Sequence, residues 1–135
     1  MRIREKSDKP YFFEDGSLPT GFRLPESYLR LLNESPPDIE PWWWLAKYKE
    51  STLFWVKTLQ EQFPYRTVIP FAKTGASDDV ACFDGTDTSG NPKVLIIHTF
   101  CSPGWEDRGT IDSFDEWLKI VTKESKQFKF EREEN

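Results

Sequence analysis

The segment from Ile69 to Val94, IPFAKTGASDDVACFDGTDTSGNPKV, decides the fold of this chain. Strand-forming runs lie on both sides of a polar turn rich in Gly, Ser and Asp, and the same plan then repeats once. With the apolar run that follows, the pattern predicts a meander of three antiparallel strands at residues 67–73, 80–84 and 93–100. The two adjacent turns carry four aspartates and no Lys or Arg: Asp78, Asp79, Asp84 and Asp87. Such charge suits a basic partner, or serves only to keep the chain in solution.

Two helices are predicted before the meander. The first begins at Leu24-Pro25-Glu26, because proline suits the first helical position and a glutamate in the first turn complements the helix dipole. It ends before Pro36-Pro37, since a residue that precedes proline is disfavoured in the α region. The second runs from about residue 51 to 62, although residues 52–56 also suit a strand, and Pro64 stops it. Its apolar residues recur three and four apart: Leu53, Val56, Leu59 and Phe63.

A third helix is predicted after the meander, where it should cover one face of the sheet. Its start carries a capping box, with Ser113 followed three residues later by Glu116, and a continuous apolar stripe comes after it. From residue 123 onward the charges alternate in sign, and Phe128 and Phe130 are the only apolar residues. We therefore expect residues 123–135 to be a charged C-terminal tail that is either solvated or a short edge strand.

The length of 135 residues suits one domain with a single core. Aromatic residues make up 16% of the chain and supply large side chains for that core, although only 37% of the residues are hydrophobic. Residues 1–23 mix charges and aromatic side chains with Gly and Pro, which predicts an N-terminal arm. The domain itself is then expected to span residues 24–122.

The charge balance is acidic, with a net charge of -5 and a pI near 5.0. Because phosphate contacts need clustered Lys and Arg, we expect neither nucleic acid nor an anionic membrane as a partner. The sequence shows no export signal, and no apolar run approaches the roughly 18 residues of a membrane-spanning helix. These features predict a cytoplasmic protein in which Cys82 and Cys101 are free thiols with a structural role.

The sequence offers little for catalysis. His98 is the only histidine and ends an apolar run, where we expect it to cap the strand or to bond a backbone carbonyl. Cys101 lies three residues further on, and no orienting group for a Cys-His pair is evident. Turn chemistry and helix capping explain the clustered carboxylates at Asp78, Asp79, Asp107, Asp112, Asp115 and Glu116. We expect no enzyme, although His98 acting with a carboxylate or with Cys101 stays an alternative.

Metal and cofactor sites also find no support in the sequence. The oxygen-rich loop from Asp84 to Gly90 does not fit the EF-hand pattern, which needs a glycine at the sixth position and an oxygen ligand at the twelfth. Counting from Asp84 puts Ser89 and Leu95 at those positions, so a hairpin turn explains the loop better. One histidine and two scattered cysteines are too few for structural zinc, and no phosphate-binding glycine loop is present. We expect neither a metal nor a cofactor.

The run Trp42-Trp43-Trp44 predicts a short strand. Side chains alternate between the two faces of a strand, so the three rings cannot all point the same way, and we expect at least one near the surface. Trp42 or Trp43 beside an acidic turn would be a suitable aromatic anchor for a partner. Burial beneath the N-terminal arm is the alternative.

The order of these pieces resembles the SUKH superfamily, which groups bacterial immunity proteins against polymorphic toxins with a fungal regulator of cell-wall glucan synthesis. Four motifs between residues 24 and 122 carry the resemblance: LPESY at 24–28 with Leu31 and Leu32, IPFA at 69–72 with the following turn and CFD at 82–84, GNPKV at 90–94 with His98, and SFDEWL at 113–118. One departure follows the first helix. The family often has an Asn-Gly-Gly turn there, whereas Asn33 is followed by Glu34-Ser35-Pro36-Pro37.

The resemblance implies an α+β fold with a curved, mostly antiparallel sheet and helices packed on it. It also implies a non-enzymatic immunity protein that binds and neutralises a cognate toxin domain. A toxin that is a nuclease has a basic cleft, which an acidic surface can occupy. On this hypothesis the partner-binding residues are Asp78, Asp79, Asp84 and Asp87, with Trp42 or Trp43 as the anchor.

The function and the oligomeric state each have an alternative. The alternative function is an intracellular regulatory or scaffolding module that binds other proteins and has no toxin partner. The oligomeric state depends on whether an edge of the sheet pairs with another chain, so we expect a monomer or a weak homodimer.

Overall fold

A five-stranded antiparallel sheet organises the chain, and its strands lie side by side in sequence order as a meander. The structure is a computed structural model that describes residues 9–134. In chain order its elements are α1 (Glu26–Glu34), β1 (Trp42–Trp44), a 3-10 turn (Leu45–Lys47), α2 (Lys49–Gln62), β2 (Val68–Thr74), β3 (Asp79–Asp84), β4 (Val94–His98), β5 (Asp107–Ile111) and α3 (Phe114–Glu134). The sheet is curled and does not close into a barrel, so the predicted α+β class with a curved meander and packed helices is confirmed.

Helices cover both faces of the sheet. Side chains of α1 and α3 pack on one face, against alternate residues of the central strands: Tyr28, Phe114 and Trp117 meet Phe71, Ala81 and Phe83. Side chains of α2 pack on the opposite face: Trp55, Leu59 and Phe63 meet Val80, Cys82 and Ile97. Because consecutive residues of β3 alternate between these two clusters, the whole strand is buried except at its ends.

Aromatic rings form the centre of the core beneath α1 and α3. Phe71 and Phe83 stack with their ring centroids 4.2 Å apart. The ring of Tyr28 meets Phe71, Phe83 and Phe114 edge to face, at centroid distances of 5.8, 5.1 and 5.3 Å. Edge-to-face pairs at such distances are the favourable geometry for aromatic side chains. The high aromatic content of the sequence is therefore used to fill this layer.

A β-bulge in β2 explains how a proline fits into a strand that has neighbours on both sides. Pro70 lies opposite Cys82 and Ala72 lies opposite Ala81, so Phe71 is the extra residue. Proline lacks the N–H that a regular ladder needs, and within a sheet it is tolerated mainly at bulges and edges. The bulge also lets Phe71 and Ala72 both contribute to the core cluster of α1 and α3.

Three features of the fold differ from the predictions. The strand β5 was missed, because its residues are polar and exposed and Gly109 interrupts it with a φ of 134°. Residues after 122 were expected to form a solvated tail or an edge strand. That prediction of their secondary structure is wrong, because α3 continues as a helix to Glu134. In α2 the buried face carries Thr52, Trp55 and Leu59, whereas Leu53, which was expected on that face, is 43% exposed.

The N-terminal arm lies against the domain over its described part, from residue 9 onward. The amide of Tyr11 donates to the carbonyl oxygen of Ala46 at 2.7 Å, and Phe12 and Phe13 pack on the core. Residues 1–8 of the predicted arm lie outside the described part of the chain.

Both cysteines are free thiols, as predicted, and burial raises the pKa of the Cys82 thiol. Within residues 9–134, no helix combines the length and the apolar character needed to cross a bilayer.

Gly85 gives a direct test of the β3–β4 connection. Its amide donates to the carbonyl oxygen of Thr67, and a Cβ added to Gly85 would lie 2.9 Å from that same oxygen. We expect Gly85→Ala to lower the free energy of unfolding by about 1–3 kcal/mol, because backbone atoms would have to move apart. Urea denaturation measures the change. The control is Gly75→Ala, whose added Cβ comes no closer than 3.6 Å to a neighbour and should change stability by less than about 0.5 kcal/mol. Equal stability of the two variants would contradict the close approach.

Candidate functional site

The four aspartates predicted to bind a partner do not form one surface. Asp78 and Asp79 lie at the β2–β3 turn, whereas Asp84 and Asp87 lie at the β3–β4 loop. Strand β3 is 6 residues long and separates the two groups. At about 3.4 Å per residue, its ends are about 17 Å apart. The turns are adjacent in the sequence but lie at opposite ends of the sheet.

Asp84 and Asp87 shape the β3–β4 loop through hydrogen bonds to their own neighbours. Asp84 Oδ1 accepts from the amide and the hydroxyl of Thr86, at 2.9 and 2.6 Å. Asp87 accepts from the amides of Ser89 and Lys93, at 3.0 and 3.1 Å. Hydrogen bonds from Ser89 are the main cause that lowers the pKa of Asp87. These contacts agree with the hairpin-turn interpretation of the loop.

The three tryptophans of β1 lie at the same end of the sheet as Asp78 and Asp79, since Trp42 pairs with Thr74 at the end of β2. Trp42 and Trp44 are buried and meet the ring of Trp117 at 5.6 and 5.7 Å. Trp43 is half-buried on the opposite face, with its ring 5.9 Å from that of Tyr48. All three rings thus contribute to packing, and Trp43 is the most accessible of them.

A set of hydrogen bonds fixes the β2–β3 turn to the end of β4. The amide and the hydroxyl of Thr99 both donate to the main-chain carbonyl of Asp78, at 3.0 and 2.7 Å. Lys73 Nζ donates to the carbonyls of Thr74 and Ser77, and burial is the main cause that lowers the pKa of this lysine. These hydrogen bonds therefore fix the main chain of Asp78 relative to the end of β4.

His98 pairs with a carboxylate. Its Nδ1 lies 2.7 Å from Asp79 Oδ1, and both side chains are about one quarter exposed. The expected bond from the His98 ring to a backbone carbonyl is therefore replaced by a side-chain partner on the neighbouring strand, because Asp79 and His98 are opposite each other in the β3–β4 register. Cys101 Sγ donates to the main-chain carbonyl of His98 at 3.2 Å, and this contact does not involve the imidazole.

The loop that joins β4 to β5 displays two exposed aromatic side chains that the sequence analysis did not single out. Phe100 is 63% exposed and Trp105 is 76% exposed. Phe100 adopts a φ of 59°, which is unusual for a residue other than glycine, and its amide donates to Gln62 Oε1 at 2.6 Å. The only sequence signal was a pair of aromatic residues around Cys-Ser-Pro-Gly, a composition typical of a turn.

A buried carboxylate holds this loop in place. Glu106 is 1% exposed, and its Oε2 accepts from Arg66 Nε at 2.7 Å and from the Tyr65 hydroxyl at 2.8 Å. Its Oε1 accepts from the amide of Gly104 at 2.6 Å. Burial by itself raises the pKa of Glu106, but the hydrogen bond from Arg66 and the other donors outweigh it and hold the pKa at about 2. The carboxylate is therefore charged throughout the physiological pH range.

We call the surface formed by residues 75–79 and 99–106 the turn end of the sheet. Thr99 joins its two parts directly, because its amide and hydroxyl both bond the main-chain carbonyl of Asp78 and the next residue is exposed Phe100. This surface includes two of the four predicted aspartates and lies next to the start of β1. Its exposed aromatic residues are Phe100 and Trp105, whereas the predicted anchors Trp42 and Trp43 are buried and half-buried, respectively.

Neither metal-binding side chains nor similarity to known proteins indicates a function for the turn end. Within residues 9–134, no three His, Cys, Asp or Glu side chains come together so that they could hold a metal ion. Comparisons with protein-family models, curated proteins and solved structures found no match to the chain. The resemblance to the SUKH superfamily therefore stays a prediction.

Proposed function

We propose that this chain is an immunity protein that binds a basic toxin domain through the turn end of the sheet and so neutralises it. The observation that carries the proposal is the double hydrogen bond from Thr99 to Asp78. It joins the acidic turn to the loop that carries two largely exposed aromatic rings. Exposed aromatic residues with charge next to them are typical of protein interfaces, where Trp, Tyr and Arg dominate the binding energy.

The rigidity of the turn end supports a role in tight binding. Buried Glu106 fixes one end of the loop, and the amide of Phe100 bonds Gln62 on α2 near the other end. A loop that is already ordered loses less conformational entropy when a partner binds. The unusual backbone conformation of Phe100 is also of the kind that proteins retain at functional positions.

The charge of the protein supports a basic partner. The net charge is -5, and Asp78 is exposed at the turn end. A toxin that cleaves nucleic acid needs a positively charged cleft for its substrate, and complementary charge speeds association and fixes orientation. We therefore propose a nuclease domain as the toxin, with the turn end covering its cleft or an adjacent surface inside the cell.

The Cys101 thiol gives no support to a Cys-His nucleophile. Asp79 bonds Nδ1 of His98, and the Cys101 thiol is directed to a main-chain carbonyl rather than to the ring. A Cys-His nucleophile would require contact between the thiol and the imidazole. We expect His98→Ala to leave toxin neutralisation intact, and loss of neutralisation in a folded His98→Ala variant would revive the enzymatic alternative.

The proposal is tested by growth rescue. The open reading frame beside the gene for this chain should encode a large secreted protein that ends in a small basic domain. Expression of that domain alone should arrest growth, and co-expression of this chain should restore it. Unrelieved growth arrest, or recovery of several moderate partners in place of one tight partner from a pull-down, would contradict the proposal and favour a scaffolding module.

The two acidic turns can be tested separately because they lie at opposite ends of β3. We expect Asp78→Asn with Asp79→Asn to slow association with the toxin domain about tenfold at low salt and to weaken its salt dependence. The matched variant, Asp84→Asn with Asp87→Asn, removes the same charge at the other end and should change the association rate less than twofold. Stopped-flow fluorescence at two ionic strengths measures both, and circular dichroism checks the fold. Equal slowing by the two pairs would show that only net charge matters.

A further inference from the structure

A groove runs along the contact between α3 and the sheet beside the turn end. It has a volume of about 300 Å³, and its accessible apolar walls are Ile96, Ile111 and the exposed Ile120, with buried Trp42 and Trp117 beneath them. A second groove of about 340 Å³ continues from it along β1 and ends at Phe128. The two share Pro41, Trp42 and Ala76, so they form one slot along the edge of the core.

The charged groups that line this slot are all acidic. Asp79 and Glu124 line the first groove, Glu40 lines the second, and no Lys or Arg lines either. Asp79 already meets His98, and Glu40 meets Arg132 at 3.4 Å. Glu124 has no hydrogen-bond or ion-pair partner among residues 9–134. The slot therefore combines aromatic and aliphatic walls with an uncompensated carboxylate at its rim.

We propose that this slot receives a lysine or arginine side chain of the protein partner. The apolar stem of such a side chain would lie between the walls, and its cationic head would reach Glu124 and Asp79. Aliphatic stems of basic residues commonly cover apolar surface while the charge stays near water. The inference rests on the proposed function, because it takes the partner to be a basic protein.

The size of the slot suits one such side chain. The first groove alone, at about 300 Å³, has room for a four-carbon chain with an ammonium group. The indole Nε1 of Trp117 is buried without a hydrogen-bond partner within the described chain, and Trp117 lines the first groove, so its N–H resonance can report changes in this wall.

The direct test needs no toxin. We expect n-butylammonium to shift the Trp117 indole resonance saturably with a Kd on the order of 10 mM, as a fragment of this size allows. At matched ionic strength, n-butanol should bind at least about fivefold more weakly, since it lacks the charge. Glu124→Gln should weaken butylammonium binding about threefold. The control, Glu116→Gln, removes a carboxylate of α3 that does not line the slot and should have no effect.

Three results of this titration would overturn the proposal. No shift with either probe would show that the slot is closed to ligands. Equal binding of butanol and butylammonium would show that the carboxylates add nothing. Binding of spermidine more than about tenfold tighter than butylammonium would assign the slot to a free polyamine, and not to the side chain of a protein partner.

The toxin complex separates this inference from the proposed function. Glu124→Gln should weaken toxin binding about threefold to tenfold, and Glu116→Gln should not. Unchanged toxin affinity of Glu124→Gln would overturn the slot proposal but leave the turn end as the toxin-binding surface. Butylammonium binding in the absence of any toxin binding would refute the immunity function and leave the cation chemistry of the slot supported.

Discussion

Replacing Glu106 by alanine is expected to lower the free energy of unfolding by about 3 kcal/mol. The substitution removes a buried carboxylate that accepts hydrogen bonds from Arg66, Tyr65 and Gly104. Loss of one partner of a buried ion pair leaves the other charge unpaired, which typically costs about 3–5 kcal/mol. Arg66 is 25% exposed and can regain some hydration, so we expect the lower end of that range. Urea denaturation at neutral pH measures the loss.

The pH dependence of stability provides a second signature of Glu106. Its pKa in the folded protein is about 2, below the ordinary value of 4.5. Between these values the unfolded chain binds a proton that the folded chain does not, so stability falls as the pH falls. The contribution of Glu106 is complete above pH 4.5 and is lost as the pH falls through about 2. The stability difference between the native chain and Glu106→Gln should shrink over the same interval.

A matched surface variant shows whether the effect is specific to the buried pair. Glu116 is exposed and pairs with Lys119 at 3.2 Å on the surface of α3. Glu116→Gln should change stability by less than about 0.5 kcal/mol, because exposed ion pairs contribute little. If Glu106→Ala proved as stable as Glu116→Gln, then the Arg66–Glu106 pair would not hold the loop.

Removal of the two exposed rings of the turn end is expected to weaken toxin binding at least about a hundredfold. Phe100→Ala combined with Trp105→Ala deletes aromatic surface from a loop that is already ordered. Aromatic hot-spot residues typically contribute about 2 kcal/mol or more each, and 1.4 kcal/mol corresponds to a factor of ten in Kd. Most of the change should be in the dissociation rate, because short-range contacts determine it. Surface plasmon resonance with the immobilised toxin domain measures both rates.

The control for this variant is another exposed aromatic residue. Phe130 is 58% exposed on α3, outside the turn end. Phe130→Ala should leave the affinity within about twofold, and all three proteins should unfold at similar urea concentrations because none of the deleted rings is buried. If the double variant bound the toxin domain as tightly as the native chain does, the loop would not be part of the interface, whatever the role of the acidic turn.

Much of the fold followed from local patterns in the sequence. The turns around Gly75 and Gly85 marked the ends of the central strands, and the capping box at Ser113 marked the start of α3, where its hydroxyl accepts from the amide of Glu116. Strand β5 carried no such pattern, because an edge strand with four exposed residues has neither an apolar run nor clear alternation. The length of α3 was missed because a polar helix end resembles a solvated tail in composition.

The candidate site was harder to predict because long-range contacts build it. Arg66 and Glu106 are 40 residues apart in the sequence, and no local pattern indicates that they pair. Exposure of Phe100 and Trp105 is likewise set by the packing of the loop, since aromatic residues occur both in cores and on binding surfaces. The separation of the two acidic turns, by contrast, was already contained in the predicted meander, because consecutive turns of a meander lie at opposite ends of a sheet.

Hydrogen–deuterium exchange of the chain, free and bound to its toxin domain, tests the central claim most directly. We expect binding to protect the amides of residues 75–79 and 99–106 at the turn end. The loop of residues 85–93, at the opposite end of the sheet, should exchange at the same rate in both states. Protection of that loop without protection of the turn end would contradict the proposed binding surface.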